Sequence, residues 1–478
     1  MNDPNTVSTL NGINSVYFIG IGGIGMSALA RYFRSKGIAV SGYDRTQTKL
    51  TAELDREGIK IHYHEDVNLI PKDADLVVYT PAVPREHAEL VYYQENGFKV
   101  VKRSDVLQAV SADSYNICVG GTHGKTTIST MIAHILRHTG YGCNAFLGGI
   151  SVNYGTNFWS SNNNVCVIEA DEYDRSFLKL SPDVAVITAM DADHLDIYGD
   201  EQSMQDAFVA FGNRVKSGGL LISRFGLKRV KEIDVERKLN YSLGNDAANV
   251  FAQNLVVDEG GYRFDAVING KVLSGFELRI GGMHNVENVL VAIAVADELD
   301  IDADKIRQAV KEFRGVRRRF EYVIPPKKQV KGGYVQPVLV DDYAHHPEEL
   351  RALLKSVRSL FPQRVVTVAF QPHLFTRTRD LADGFAEVLS LADNLILLPI
   401  YPARELPIPG VTSELIAEKV QSKNKQVLPA KEFLEWIKNH KLNGEFGEVV
   451  VMAGAGDIDT LVEPVKKLME TKMTIGVN

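Results

Sequence analysis

Lys125-Thr126-Thr127 closes a glycine-rich stretch, Gly120-Gly121-Thr122-His123-Gly124. These residue types in this order handle phosphate. Glycine backbone N–H groups converge on an anion, the lysine adds a mobile positive charge, and a threonine hydroxyl can hold Mg²⁺. Two acidic clusters follow, Glu169-Ala-Asp171-Glu172-Tyr-Asp174 and Asp191-Ala-Asp193-His194-Leu-Asp196. One such cluster alone reads as solvated loop. Two of them after a lysine-bearing cradle read as the place where Mg²⁺ sits between carboxylate and triphosphate, and the acids around it raise His194 from an ordinary histidine to a candidate ligand. The cradle is a variant: the glycine that a P-loop carries five residues before Gly124 is here Val119.

The elements that must position these groups are legible around them. Asn116 to Val119 reads as a buried strand running into the glycine turn, and Ile128 to Leu136 as the helix behind it. Val165–Ile168 and Val184–Thr188 read as strands, and each acidic cluster stands at a strand's C-terminal end, the side where ligands gather in α/β sheets. Further on, Gly282-Met-His284-Asn285-Val-Glu-Asn288 opens an Ala/Val-rich helix reaching about Leu299. Asn285 and Asn288 share a face and could read a purine edge, although residue type alone favours a helix cap.

Nearer the N-terminus a strand, Ser15–Ile19, enters Gly20-Ile-Gly22-Gly23-Ile-Gly25, followed by a helix pattern over Met26–Lys36 and a second strand, Ile38–Tyr43, that ends at Asp44. This is a βαβ unit with a G-x-G-x-x-G turn and an acid at ribose-binding spacing. The plain reading is an NAD or FAD site; but what the motif encodes is a diphosphate on a helix N-terminus, and a UDP-linked sugar, which carries the same diphosphate, stays open as the less favoured reading. Strands at Asp75–Tyr79 and Lys99–Val101 continue the alternation to a linker near Ser111–Ser114. His62 and His64 fit an exposed strand face.

The pattern resets at Arg317-Arg318-Arg319-Phe320. Strands at Pro337–Val340, Val365–Phe370, Asn394–Pro399 and Glu448–Met452 alternate with helix patterns at Pro347–Phe361, Arg379–Leu391 and Ser413–Ser422, a further Rossmann-like unit. Its strand ends carry Asp341-Asp342-Tyr343-Ala-His345-His346, Gln371-Pro-His373-Leu-Phe-Thr-Arg377, Tyr401-Pro-Ala-Arg404 and Gly454-Ala-Gly456-Asp457. Histidine, tyrosine and arginine at several ends of one sheet suit a small carboxylate, with arginine as its bidentate partner.

The chain has 478 residues, which suggests about three domains. Hydrophobic residues make up 45%, charged residues 24%, and the formal charge is −7, which argues against a general nucleic-acid or membrane-surface binder. Three cysteines, Cys118, Cys143 and Cys166, show no C-x-x-C spacing, as expected of reduced thiols in a cytoplasmic protein. The polar N-terminus lacks signal-peptide order, and no apolar run approaches the ~18 residues of a membrane span.

In this order, GGTHGKTT, EADEYD, DADHLDIY, GMHNVEN, RRRFEY, DDYAHHPEE, FQPHLFTRTRD, YPARELPIPG and GAGDID resemble the ATP-dependent Mur ligases of peptidoglycan synthesis, over nearly the whole chain. The cradle of that family also lacks the outer glycine, which accounts for Val119. The resemblance implies three α/β domains: a Rossmann-like UDP-substrate domain (1–112), a central P-loop ATPase-type domain (113–315) and a Rossmann-like amino-acid domain (316–478). Gly20, Gly22, Gly23 and Gly25 would meet the diphosphate, with Asp44 near the nucleoside. ATP would lie on Gly121, Thr122, His123, Gly124, Lys125, Thr126 and Thr127, with Asn285 and Asn288 at the adenine and Arg319 and Asp342 completing the site. Thr126 and Glu169 would hold one Mg²⁺, and Glu169 and His194 a second. Lys125, His194, Arg319 and His345 would be the catalytic set, and Tyr343, His345, His373 and Arg377 the amino-acid pocket. Leu374 stands where many relatives carry a second arginine.

The substrates implied are UDP-N-acetylmuramate and L-alanine, joined through an acyl phosphate by a monomer or weak homodimer. Other readings are a ligase for a ready-made tripeptide in wall recycling, a nicotinamide-dependent oxidoreductase, and a non-catalytic nucleotide-binding module.

Overall fold

The computed structural model describes residues 10–191, 195–327, 335–403, 405–422, 424–442 and 446–475. Asp193, His194 and Arg404 therefore lie outside the described residues. The architecture is α/β, with three sheets among the described residues. The chain divides into two compact units, the first comprising 1–252, 266–273 and 287–310, the second 253–265, 274–286 and 311–478. Among the described residues no helix is long and apolar enough to cross a membrane.

The first sheet has the spatial order Lys60–His62, Ala39–Tyr43, Ser15–Ile19, Leu76–Tyr79, Val100–Lys102, all parallel. Its central strands are apolar on both faces because helices cover both sides; Tyr17, Phe18, Leu76, Val77 and Val78 are fully buried. The order reverses beside Ser15–Ile19, so the crevice at this strand's C-terminal end is where a ligand fits. The glycine turn starts there, and the helix Ile24–Ser35 follows it.

In the second sheet the strand Tyr115–Gly120 lies between Val184–Ile187 and Val165–Glu169, parallel to both. Val119 explains itself here. It pairs in register with Glu169 and Val186 and is fully buried, so the strand continues through the position where other P-loops have already turned. The helix Lys125–His138 buries Ile128, Met131, Ile132, Ile135 and Leu136, the apolar stripe expected of it.

The third sheet has the order Glu321–Ile324, Val338–Asp342, Glu448–Ala453, Val365–Phe370, Asn394–Leu397, Asn424–Val427, and is parallel except for its first pair. Two helix expectations need correction. The pattern over Arg379–Leu391 is two helices, Phe375–Asp380 and Ala382–Leu389, broken at Leu381. That over Ser413–Ser422 yields one turn, Glu414–Ala417. In both cases a short apolar run satisfied the 3.6 period, which by itself does not fix how far a helix continues.

His62 also departs from the exposed-face reading. Its Nε2 lies 2.8 Å from Oε1 of the fully buried Glu89, whose other oxygen accepts from Tyr17 Oη at 2.7 Å. Burial of Glu89 requires polar partners, and His62 and Tyr17 supply them.

Candidate active site

The cradle is built by backbone that only glycine tolerates. Gly121 and Gly124 have φ of +129° and +80°. A Cβ on Gly121 would meet Thr188 Oγ1 at 2.0 Å, so the end of Val184–Ile187 presses against the loop. Lys125, Thr126 and Thr127 occupy the first helical turn, where N–H groups have no intrahelical acceptor.

Around this turn the acids take distinct places. Thr126 Oγ1 donates to Glu169 Oε1 at 3.0 Å, and Gly148 N–H donates to Glu169 Oε2 at 2.9 Å. Lys125 Nζ donates to the Gly121 carbonyl and to Glu172 Oε1, each at 2.7 Å. Thr122 is buried, whereas His123 is exposed and faces Asp191, with Nε2 and Oδ2 3.6 Å apart. Thr127 is buried too. Asn288 sits against the cradle, its Oδ1 3.1 Å from where a Gly124 Cβ would be.

Neither asparagine is a cap. Their helix begins at Met283, and Asn285 Nδ2 donates back to the Gly281 carbonyl at 2.6 Å, whereas a cap accepts from helical N–H groups.

Hard oxygen donors suit Mg²⁺. Thr126 and Glu169, already in contact beside the cradle, fit that chemistry. Among the described residues no three His, Cys, Asp or Glu side chains form a metal cluster, and the expected ligand His194 lies outside them.

At the first glycine turn, Gly22 N–H donates to Asp44 Oδ2 at 2.7 Å, and Thr46 N–H to Oδ1 at 3.1 Å. A Cβ on Gly22 would strike Asp44 and Thr51, each at 2.7 Å, which is why this turn needs glycine there. Gly20 and Ile21 N–H both donate to the Tyr43 carbonyl.

A cleft of about 300 Å³ runs from the first glycine turn to Glu169, the carboxylate that Thr126 of the cradle contacts. Gly23 and Gly25 line one part, Glu169 and Gly148 another, with Lys102 and Arg103 between them. Arg103 lies directly over Gly25, its Nη1 2.6 Å from where a Cβ would be, and its Nη2 bonds Asp171 Oδ2 at 3.2 Å. Sequence reasoning missed this arginine. The available signal was a basic pair, Lys102-Arg103, immediately after a predicted strand and on the ligand side of the sheet.

The second unit brings its four expected pocket residues together. The rings of Tyr343 and His345 are 5.1 Å apart, those of His345 and His373 6.0 Å, and His373 stacks on Tyr401 at 5.7 Å. Tyr401 is a further wall that sequence reasoning left out of the pocket. His373 Nδ1 and Arg377 Nη1 are buried without a hydrogen-bond partner among the described residues. Burial, then Arg377 and His345, lower the basicity of His373. Leu374 holds φ +71°, ψ 136°, unusual for a side chain with a Cβ, at the bend between His373 and the helix Phe375–Asp380.

Arg319 is exposed on a turn held by its neighbours. Arg318 and Phe320 on either side have φ of +60° and +46°. Asp342 accepts from Phe320 N–H at 2.7 Å and from Ala344 N–H at 2.8 Å, so its carboxylate holds this turn and the start of the pocket loop together. Desolvation raises Asp342 to about 6 and Asp341 to about 7.

An aspartate raised on folding binds more protons folded than unfolded between the two pKa values, so stability falls as pH rises through about 4 to 7. Trp436 fluorescence in a Trp159→Phe background should show the urea midpoint of this unit dropping from pH 5 to pH 8. Asp341→Asn should make the decline shallower, and an unchanged slope would contradict the assignment.

Comparison with known proteins identifies the family. Family models described as Mur ligase family, catalytic domain; Mur ligase middle domain; and Mur ligase, glutamate ligase domain match residues 15–115, 119–296 and 318–456. A UDP-N-acetylmuramate–L-alanine ligase of Porphyromonas gingivalis strain W83 is 44% identical over 463 residues, which is 95% of this chain and 99% of that protein. The chain belongs to the Mur ligase family. The crystal structure of a UDP-N-acetylmuramate–alanine ligase from Thermotoga maritima is similar, with TM-score 0.79 and 28% identity over 96% of this chain and 99% of that one. A murein peptide ligase from Psychrobacter arcticus shares the Mur ligase fold, with TM-score 0.64 and 22% identity, covering 96% and 99% of the two chains.

Proposed function

We propose that this chain uses ATP to join L-alanine to the lactoyl carboxylate of UDP-N-acetylmuramate, a step in making the peptidoglycan precursor. What carries this reading is a cleft lined by both the G-x-G-x-x-G turn and Glu169. A nicotinamide oxidoreductase has no use for a phosphate cradle beside its dinucleotide turn. A long UDP-linked acid does. Its diphosphate rests near Gly22, Gly23, Gly25 and Arg103, and its carboxylate extends toward Glu169 and the cradle.

The substrate carboxylate attacks the γ-phosphorus of ATP, giving an acyl phosphate and ADP. The amine of L-alanine then attacks the acyl carbon, and phosphate leaves as the amide forms. The main obstacle to the first step is repulsion between an anionic nucleophile and a triphosphate, so positioned cations supply most of the rate. Lys125 provides one from the first helical turn, and Arg319 another. Thr126 and Glu169 would hold Mg²⁺, with His194 as a ligand of a second ion; bound there, the metal spreads the developing phosphoryl charge. Arg377 takes the alanine carboxylate, and Tyr343, His345 and His373 wall the pocket. Residues 1–112, 113–315 and 316–478 serve as the UDP-substrate, ATP and amino-acid domains, in the cytoplasm.

The test is amino-acid-dependent phosphate release from ATP and UDP-N-acetylmuramate. L-Alanine should support turnover, and L-Ala-γ-D-Glu-meso-diaminopimelate should not. Preference for the tripeptide would replace this reading with the recycling one.

A further inference from the structure

We propose that Glu172 is the resting counter-ion of Lys125, and that nucleotide must take the lysine from it. Glu172 thereby sets how tightly ADP is held and how quickly it leaves. The inference rests on the reading of the cradle as an ATP site. Glu172 is a positioning residue, acting through Lys125.

Its side chain is 2% exposed and that of Lys125 14%, with Oε1 and Nζ 2.7 Å apart. A carboxylate this buried needs its cation, because unpaired buried charge is costly. The two partners are not equally free to move. The Glu172 carbonyl accepts from Tyr198 Oη at 2.6 Å and from Arg175 N–H at 2.9 Å, which pins the backbone behind the carboxylate. Lys125 reaches from a fixed helix on a flexible four-carbon stem. When phosphates enter, the lysine is therefore the group that changes partners, giving up Glu172.

The fixed anion has two effects on a nucleotide, and both weaken binding. It competes for the ammonium, and it repels phosphate oxygens that approach the same ammonium. When ADP departs, it recaptures the lysine. Thr126 is engaged by Glu169, three residues earlier, so the metal-side and lysine-side carboxylates are separate groups.

The experiment measures ADP binding by calorimetry, and ADP release by stopped flow, for wild type, Glu172→Gln and Glu172→Asp, each with Mg²⁺ and with EDTA. Glu172→Gln keeps shape and removes charge. Its dissociation constant for ADP should fall roughly tenfold, the lower end of coupling between close charge pairs, in both buffers. Its ADP release should slow by a similar factor, with kcat reduced and kcat/KM for ATP not reduced. Glu172→Asp keeps the charge and should stay near wild type. Unchanged or weaker ADP binding by Glu172→Gln would overturn the proposal, as would an effect present only with Mg²⁺, which would make Glu172 a metal ligand. A wild-type protein that binds no ADP would instead remove the nucleotide reading itself, and this inference with it.

Discussion

Replacing Lys125 by alanine is expected to cut ADP formation about a thousandfold or more, the scale seen when a preorganised charge is removed from a phosphoryl-transfer site. The structure adds a condition that sequence alone does not. Lys125 Nζ lies 2.7 Å from Glu172 Oε1, so the alanine variant takes this cation away from a buried carboxylate. It should lose up to about 3 kcal/mol of stability, the lower end for breaking a buried pair. Loss of turnover in Lys125→Ala could then be mistaken for unfolding. The double variant Lys125→Met with Glu172→Gln separates the effects, because it removes both charges at once. Its melting temperature should return close to wild type while ADP formation stays abolished. Recovery of turnover together with stability would remove Lys125 from the chemistry.

Arg377 should show the opposite relation between stability and function. Among the described residues its Nη1 is buried without a hydrogen-bond partner, a cost to the folded state that a bound carboxylate would repay. Arg377→Met removes that cost while filling similar space, so the melting temperature should hold or rise. The KM for L-alanine should increase about a hundredfold, matching the 2–5 kcal/mol lost when one partner of a buried charged hydrogen bond is truncated. The KM values for ATP and for the UDP-linked substrate should stay put. Amino-acid-dependent phosphate release at varied L-alanine measures this directly; an unchanged KM for L-alanine would assign the carboxylate to another group. Leu374 sharpens the expectation. It offers no charge beside Arg377, and its left-handed φ shapes the bend that carries His373.

Much of the site was legible because its chemistry is local in sequence. A cradle needs glycines, lysine and threonine in a contiguous order, and parallel strands buried on both faces read as apolar runs ending in ligand-side loops. Where reading along the chain failed, the deciding contact was distant. Glu89 makes His62 part of a buried polar cluster. Asn288 looks like a helix-capping residue until Gly124 is seen against it. Arg103 became visible only when the strand end at Lys102 was placed beside Gly25. The helix expectations near Leu381 and Ser413 failed for another reason: a short segment can match a 3.6 period, and the period does not say where the helix breaks or stops.

The sequence by itself determined the α/β class, the phosphate cradle, the order of the acidic strand ends and the family. These follow from residue type and spacing, which the backbone cannot rearrange. The tertiary structure decided which acid serves which group. Glu169 and Glu172 lie three residues apart and are chemically identical, yet one meets Thr126 and the other Lys125. The strand Val165–Glu169 ends between them, so the first is held at the sheet and the second is carried past it. That geometry depends on where the strand stops against its neighbours, and no local pattern encodes it.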